Sequence, residues 1–175
     1  INMVGGTPVV VNTYPDFQLD LAKIEAAITP RTKAIIVNSP GNPTGALLHP
    51  DTLRRLAVLC KERNILLMSD EVYRAFSYDA PFVSPAEFNE DVLAFDGFSK
   101  TYGMTGWRLG FAHGPRRLIE EMTKLQQFTF VCAPSIVQWA GVAALDCDMS
   151  GIVADYKKKR DRLIAGLKEI GRAHV

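Results

Sequence analysis

The chain has 175 residues, of which 47% are hydrophobic, and this is enough for one domain with a substantial core. Its formal net charge of +1 gives no argument for a nucleic-acid partner or for binding to an acidic membrane surface. No run of about 18 apolar residues is present, so the sequence predicts no membrane span.

Strands and helices are predicted to alternate along the chain. Short apolar or β-branched runs predict strands at 8–12, 33–37, 65–68 and 92–95, and a strand in the opposite direction at 109–113. Amphipathic patterns predict helices at 19–28, 50–63, 117–127, 135–146 and 153–169. Continuously apolar strands separated by helices favour an α/β fold whose mainly parallel sheet is covered by helices on both faces.

Three polar side chains each follow a predicted strand closely: Asn42, Asp70 and Lys100. In open α/β sheets, ligands bind in the crevice beyond the carboxyl ends of the strands. We therefore expect these three groups to meet at one crevice.

Lys100 lies in the segment GFSKTYGMTGWRLG, residues 97–110. A lysine amine attacks an aldehyde cofactor only where its surroundings are packed and partly apolar. The segment supplies four large side chains for this: Phe98, Tyr102, Met104 and Trp107. Arg108 adds a planar guanidinium that suits a phosphate, and the glycines let the backbone approach a ligand closely. The segment predicts a pyridoxal phosphate site, and the alternative for Lys100 is a solvated surface lysine.

Two upstream segments complete a pattern with residues 97–110. They are NSPGNPTG at 38–45 and SDEVY at 69–73. Together, and in this order, the three segments resemble class I/II aminotransferases, which belong to the fold-type I superfamily of pyridoxal-phosphate enzymes. The wording MTGWRLG at 104–110 is most similar to the branch of prokaryotic aspartate and aromatic aminotransferases. The similarity extends from about residue 4 to about residue 167.

The resemblance implies roles for the matching catalytic positions. Lys100 would hold the cofactor as a Schiff base and move a proton during the reaction. Asp70 would keep the pyridine nitrogen of the cofactor protonated, and Tyr73 would hydrogen-bond the phenolic oxygen of its ring. The alternatives are a cap or turn residue for Asp70 and a half-buried sheet tyrosine for Tyr73. Glu71 is expected to point to the other face and to be structural.

The remaining cofactor-binding positions are implied in the same way. Asn42 would also bind the phenolic oxygen, with a cis peptide bond before Pro43, and its alternative is a turn residue. Arg108 would bind the phosphate, with an ordinary surface ion pair as the alternative. Family members often carry a phosphate-binding serine three residues before the lysine, where this chain has Gly97, so Ser99 and the loop amides are the candidates that remain.

The resemblance also implies the domain organisation. Residues 1–150 would be part of the cofactor-binding large domain, and 151–169 a helix leading towards a small domain. The family's glycine-rich loop and ring-stacking aromatic residue would lie before this sequence, and its substrate-binding arginine after it. Family members are homodimers with shared sites, so we expect these 175 residues alone to be inactive. The last six residues, 170–175, are interpreted as a non-native tail.

The predicted function is pyridoxal-phosphate-dependent transfer of an amino group between an amino acid and a 2-oxo acid. One alternative is a carbon–sulfur β-lyase, which shares the three motifs. Another is an aminotransferase-like sensing domain of a transcription regulator. A nicotinamide-binding domain is disfavoured, because no Gly-x-Gly-x-x-Gly turn follows a strand.

The other chemically reactive residues have simpler interpretations. Three cysteines without a Cys-x-x-Cys spacing are typical of reduced, mostly buried thiols in a cytoplasmic protein. His49, His113 and His174 are too scattered to indicate a metal site. The basic run at 157–160 is expected to be a solvated helix face, which is no argument for a nucleic-acid partner.

Overall fold

The computed structural model describes residues 1–171 and contains one four-stranded sheet. The strands are β1 (Ala34–Asn38), β2 (Leu66–Asp70), β3 (Leu93–Gly97) and β4 (Gly110–His113), in that spatial order. β1, β2 and β3 are parallel, and β4 is antiparallel to β3. The predictions of a mainly parallel sheet and of a reversed strand behind the lysine segment are confirmed.

Residues 1–171 contain six α-helices. They are α1 (Leu21–Ala27), α2 (Pro50–Glu62), α3 (Phe98–Thr101), α4 (Arg116–Gln127), α5 (Ser135–Leu145) and α6 (Ser150–Ile170). Five were predicted, within three residues at each end. α3 was not predicted, because four residues are too short to show helical periodicity.

The predicted strand at 8–12 is wrong. These residues form no strand, and Val9 and Val10 are 69% and 88% exposed. A strand needs a neighbour for its backbone hydrogen bonds, and within residues 1–171 no strand pairs with this segment. An apolar run alone does not reveal whether such a neighbour exists.

The main core lies between the sheet and α1 and α2. Leu53, Leu56, Ala57 and Cys60 of α2 are at most 1% exposed, as their helical spacing predicts, and they pack with residues of β1, β2 and β3. Burial raises the pKa of the Cys60 thiol to about 11. The prediction of mostly buried cysteines holds for Cys60 alone, because the other two are exposed.

A second helix layer packs against the segment that carries Lys100. Val137, Gly141 and Ala144 are the buried residues of α5. A Cβ atom on Gly141 would lie 2.5 Å from Leu109 Cδ2 and 3.4 Å from Phe98 Cζ, so α5 approaches this segment closely. α1 and α2 form the first helix layer, in the main core, and α5 forms the second. The fold is therefore the α/β arrangement with αβα layering that the sequence predicts.

α6 is attached to the chain segment that follows Tyr73. Lys157 and Arg160 both form ion pairs with Asp79, and the Arg160 guanidinium lies 4.9 Å from the Tyr78 ring centroid. Lys158 and Lys159 are exposed, as the prediction of a solvated face requires. Lys157 and Arg160 are partly exposed, and their pairing with Asp79 was not predicted. Asp79 is 78 residues away from Lys157 in sequence. The periodicity of a helix cannot indicate so distant a partner.

α6 covers the helix predicted at 153–169 and continues to Ile170. Of the segment interpreted as a non-native tail, residues 172–175 lie outside the described residues, and so does His174. No single helix within residues 1–171 is long and apolar enough for a membrane span; α5 and α6 meet that criterion only as a pair, and they are bent by 80°.

Candidate active site

The carboxyl ends of three parallel strands bring the predicted site residues to one edge of the sheet. Asp70 is the last residue of β2 and is in register with Asn38, the last residue of β1. β3 ends at Gly97, and Lys100 follows within α3. Because these strands are parallel, Asn42, Asp70 and Lys100 all lie at or just after strand ends on the same edge of the sheet.

The loop after β1 holds Asn42 through side-chain hydrogen bonds of Asn38. Asn38 Oδ1 accepts a hydrogen bond from the Asn42 amide at 3.0 Å, and Asn38 Nδ2 donates to the Asp70 carbonyl at 3.1 Å. The loop closes on itself through Gly45, whose φ of 70° suits glycine. The Asn42–Pro43 peptide bond is cis, as the resemblance implied. Sequence reasoning overlooked Asn38, although an amide at the end of a strand could have drawn attention to it.

Tyr73 is the point at which three of the predicted residues meet. Asn42 Nδ2 donates a hydrogen bond to the Tyr73 hydroxyl at 3.3 Å. Lys100 Nζ lies 5.5 Å from the centroid of the Tyr73 ring, within the range of a cation–π contact. Tyr73 is half-buried and directly precedes the 3-10 turn Arg74–Phe76. An amine, a phenol and an amide from three separate loops therefore lie within one small region.

Lys100 is packed on one side only. Phe98 is buried and stacks near Tyr102 and Phe111, with ring centroids 5.5 and 6.0 Å apart. Lys100 itself is exposed, and Trp107 is 46% exposed. Packed, apolar surroundings were expected for Lys100. They are present around Phe98 but not around the Lys100 amine, because nothing within residues 1–171 covers the other side of α3.

Asp70 makes the turn contact that was considered as its alternative role. Its Oδ1 accepts a hydrogen bond from the Val72 amide at 3.2 Å, and its side chain is half-buried. The next residue, Glu71, is 3% exposed and accepts a hydrogen bond from Ser84 Oγ at 2.6 Å. Glu71 is therefore structural, as predicted. The contact to Val72 fixes the Asp70 carboxylate at the strand end.

Ser99 lies in α3 directly before Lys100, and Arg108 lies in the turn that follows α3. No hydrogen bond among the described residues joins either side chain to the cluster around Tyr73. Arg108 has a left-handed φ of 55°, and its Nη1 donates to the Thr105 carbonyl at 3.1 Å. Thr105 Oγ1 in turn donates to the Ser99 carbonyl at 3.2 Å. Arg108 lines an open cavity of about 520 Å³ between this turn and the start of α5, together with Gly103, Gly106, Trp107, Pro134 and Val137. Lys100, Tyr73 and Asn42 do not line that cavity.

An ion pair beside the cluster was not predicted. Arg74 Nε lies 2.6 Å from Asp96 Oδ2, and the Asp96 side chain is only 9% exposed. Burial raises the pKa of the Asp96 carboxyl, and this outweighs the lowering by the Gly97 amide and by Arg74. The two residues are far apart in sequence, so the pattern of neither segment indicates the pair.

The αβα fold places a lysine, a phenol, an amide and a carboxylate at the carboxyl ends of parallel strands, which is where α/β proteins bind their ligands. The family model for aminotransferase class I and II matches residues 1–175. The chain belongs to this family, which confirms the resemblance seen in the sequence.

Individual relatives agree with this assignment. Aspartate aminotransferase of Thermotoga maritima is 35% identical, over 98% of this chain and 47% of that protein. Aromatic-amino-acid aminotransferase 2 of Thermococcus litoralis is 36% identical, over 97% of this chain and 46% of that protein. Among solved structures, a mutant of Thermus thermophilus aspartate aminotransferase superposes with a TM-score of 0.92 at 37% identity, over 97% of this chain and 49% of that chain. The chain spans about half the length of the curated relatives it matches.

Proposed function

We propose that these residues belong to a pyridoxal-phosphate-dependent aminotransferase that moves an amino group between an amino acid and a 2-oxo acid. The observation that carries the proposal is the convergence of Asn42, Tyr73 and Lys100. Family membership supports it, because the relatives described above are named as aminotransferases of aspartate and of aromatic amino acids.

The donor set fits pyridoxal phosphate. The Tyr73 hydroxyl and the Asn42 amide are within 3.3 Å of each other, so both can donate to one acceptor such as the phenolic oxygen of the cofactor. Lys100 supplies an amine on the Tyr73 ring, and Asp70 supplies a carboxylate at the neighbouring strand end. Arg108 offers a guanidinium for the phosphate, and Ser99 of α3 is a second candidate.

Each residue has a defined task in this proposal. When bound, pyridoxal phosphate supplies the electron sink that makes the substrate α-carbon acidic. Lys100 holds the cofactor and carries the proton that leaves this α-carbon. Asp70 keeps a proton on the ring nitrogen, because a carboxylate next to that nitrogen favours its charged form. Tyr73 and Asn42 stabilise negative charge on the phenolic oxygen through hydrogen bonds.

The proposal includes the organisation of the whole protein. Residues 1–150 form part of the cofactor-binding large domain, and 151–169 lead towards a small domain in a cytoplasmic homodimer. Phe128 at the end of α4 is 86% exposed, and Trp139 of α5 is 73% exposed. Exposed aromatic side chains of this size support the proposal that further protein covers them. The 175 residues alone bind the cofactor weakly and do not catalyse transamination.

An activity assay on the whole protein, expressed from its complete reading frame, tests the proposal. We expect amino transfer from aspartate or an aromatic amino acid to 2-oxoglutarate, and its loss in Lys100→Arg. Pyruvate release from cystathionine in place of amino transfer would indicate a β-lyase instead. A winged-helix segment upstream together with no turnover would indicate a regulator, and either outcome would overturn the proposal.

A further inference from the structure

We infer that Arg74 and Asp96 are positioning residues that hold the turn carrying Tyr73 against the strand end carrying Lys100. This inference rests on the proposed function of Tyr73 and Lys100. Neither residue is among the groups proposed to bind cofactor or substrate, so their role is to fix the distance between two groups that do.

The Asp96 carboxylate contacts two segments of the chain at once, through one side chain and one backbone amide. Its Oδ2 pairs with Arg74 Nε at 2.6 Å, and its Oδ1 accepts a hydrogen bond from the Gly97 amide at 2.6 Å. Gly97 is the N-cap residue of α3, the helix that contains Lys100, and it has no side chain of its own for capping. Arg74 directly follows Tyr73. One carboxylate therefore binds the start of the Lys100 helix and the residue next to Tyr73.

The backbone supplies a second connection on the other side of Tyr73. The Glu71 amide donates to the Phe95 carbonyl at 2.9 Å, and the Arg74 amide donates to the Glu71 carbonyl at 2.8 Å. Tyr73 therefore lies between two residues that bind β3: Glu71 through its backbone amide and Arg74 through its side chain. If the side-chain link is removed, the hydrogen bond of the Glu71 amide to Phe95 remains as a polar link between this turn and β3.

Burial distinguishes this pair from an ordinary surface ion pair. Arg74 is 52% exposed, but the Asp96 side chain is only 9% exposed. Exposed pairs contribute little, whereas a buried carboxylate that loses its cation is strongly unfavourable. The charged groups near Asp96 are Arg74 on the turn, Asp70 at the end of β2 and His113 on β4. Asp70 is also a carboxylate, and the Arg74 guanidinium offsets its repulsion of Asp96.

The test compares Arg74→Met with the double variant R74M/D96N in the whole protein. We expect Arg74→Met to lower the unfolding midpoint, and addition of Asp96→Asn to restore much of it, because the buried charge is removed. The positioning role predicts that Lys100 geometry is not restored along with stability, because the neutral pair no longer links the turn to β3. Lys61→Met is the control, since it breaks an exposed pair with Glu90 outside the candidate site.

Lys100 geometry is read without cofactor by 13C-methylation of lysine amines and NMR, with Lys100→Arg to assign the signal. In the wild type we expect the Tyr73 ring current to shift the Lys100 methyl signal, since Nζ lies 5.5 Å from the ring centroid. In Arg74→Met and in the double variant it moves to the position of solvated lysines, and in Lys61→Met it does not. A second readout is borohydride trapping of pyridoxal phosphate on Lys100, which we expect to slow by about tenfold in both Arg74 variants.

The outcomes separate the two proposals. A Lys100 signal that is unshifted in the wild type, or unchanged in both Arg74 variants, overturns the positioning role. A signal that responds as expected in a protein that never traps the cofactor supports the positioning role and rejects the proposed function.

Discussion

At the scale of single residues, Tyr73 is the residue that connects the other site groups. It accepts a hydrogen bond from Asn42 on one loop, and its ring lies beside the Lys100 amine on another. The hydroxyl and the ring therefore have separable tasks. The ring contributes to the position of Lys100, and the hydroxyl contributes to the hydrogen bonding of the cofactor in the proposed reaction.

Tyr73→Phe separates these two tasks. We expect amino transfer by the whole protein to fall by about 10- to 100-fold, because the hydroxyl donor is lost, while the trapping of cofactor on Lys100 persists. Steady-state kinetics with borohydride trapping in parallel measure both effects. Tyr14→Phe is the matched control, since Tyr14 is 71% exposed. Equal rates for Tyr73→Phe and the wild type would contradict a role for the hydroxyl.

The placement of the site residues at one edge of the sheet was the part of the site that the sequence predicted best. Asn42, Tyr73 and Lys100 could be named because each stands in a motif next to a strand end, and parallel strands end at one edge. Arg74 and Asp96 could not be named, because their ion pair joins segments 22 residues apart. Asn38 was overlooked, although its contact with Asn42 spans only four residues. The exposure of Lys100 was also not predictable, since a local apolar pattern does not show which side of a turn is covered.

At the scale of elements, α6 is held by the segment that follows Tyr73. Asp79 receives Lys157 and Arg160, and the Phe76 and Tyr156 rings meet edge to face with centroids 5.8 Å apart. Asp79 lies six positions after Tyr73. α6 is therefore bound to the same chain segment that carries the site tyrosine. A displacement of α6 would thus act on the segment that contains Tyr73.

Asp79→Asn tests this docking through its pH dependence. Hydrogen bonds from Arg160 and then Lys157 hold the pKa of the Asp79 carboxyl well below its usual range. A lowered carboxyl pKa stabilises the folded state above the unfolded-state value of about 4, and this stabilisation is lost as the pH falls below it. We expect Asp79→Asn to be less stable than the wild type at pH 7, with a difference that narrows as the pH falls below about 4.

Urea unfolding of the two proteins at several pH values measures that difference. The control is Glu121→Gln, which breaks an exposed pair within α4. A constant difference between Asp79→Asn and the wild type at every pH would contradict the docking role of the Asp79 charge.

Prediction of the elements succeeded where periodicity decides the structure and failed where partners decide it. α2 was predicted from four residues on one face, and all four are buried. The segment at 8–12 has the composition of a strand but no neighbouring strand within the described part of the chain. The charge run on α6 has the pattern of a solvated face, and only the fold brings Asp79 to it.

At the scale of the whole molecule, the chain contains a candidate site at one edge of its sheet and many exposed large apolar side chains. It spans about half the length of its curated relatives, and Phe128, Trp139 and Leu163 are more than 60% exposed. Exposed apolar area on this scale is typical of surfaces that other protein segments cover. The proposed activity therefore belongs to the whole protein, and its direct test uses the whole protein.

Borohydride reduction of the whole protein with pyridoxal phosphate, followed by peptide mapping, tests the central claim most directly. The account predicts that the reduced pyridoxyl group is found on Lys100 and that no other lysine carries a comparable amount. Lys100→Arg is expected to abolish the labelling. A protein that carries the label on another lysine, or that leaves Lys100 unlabelled at saturating cofactor, would contradict the account.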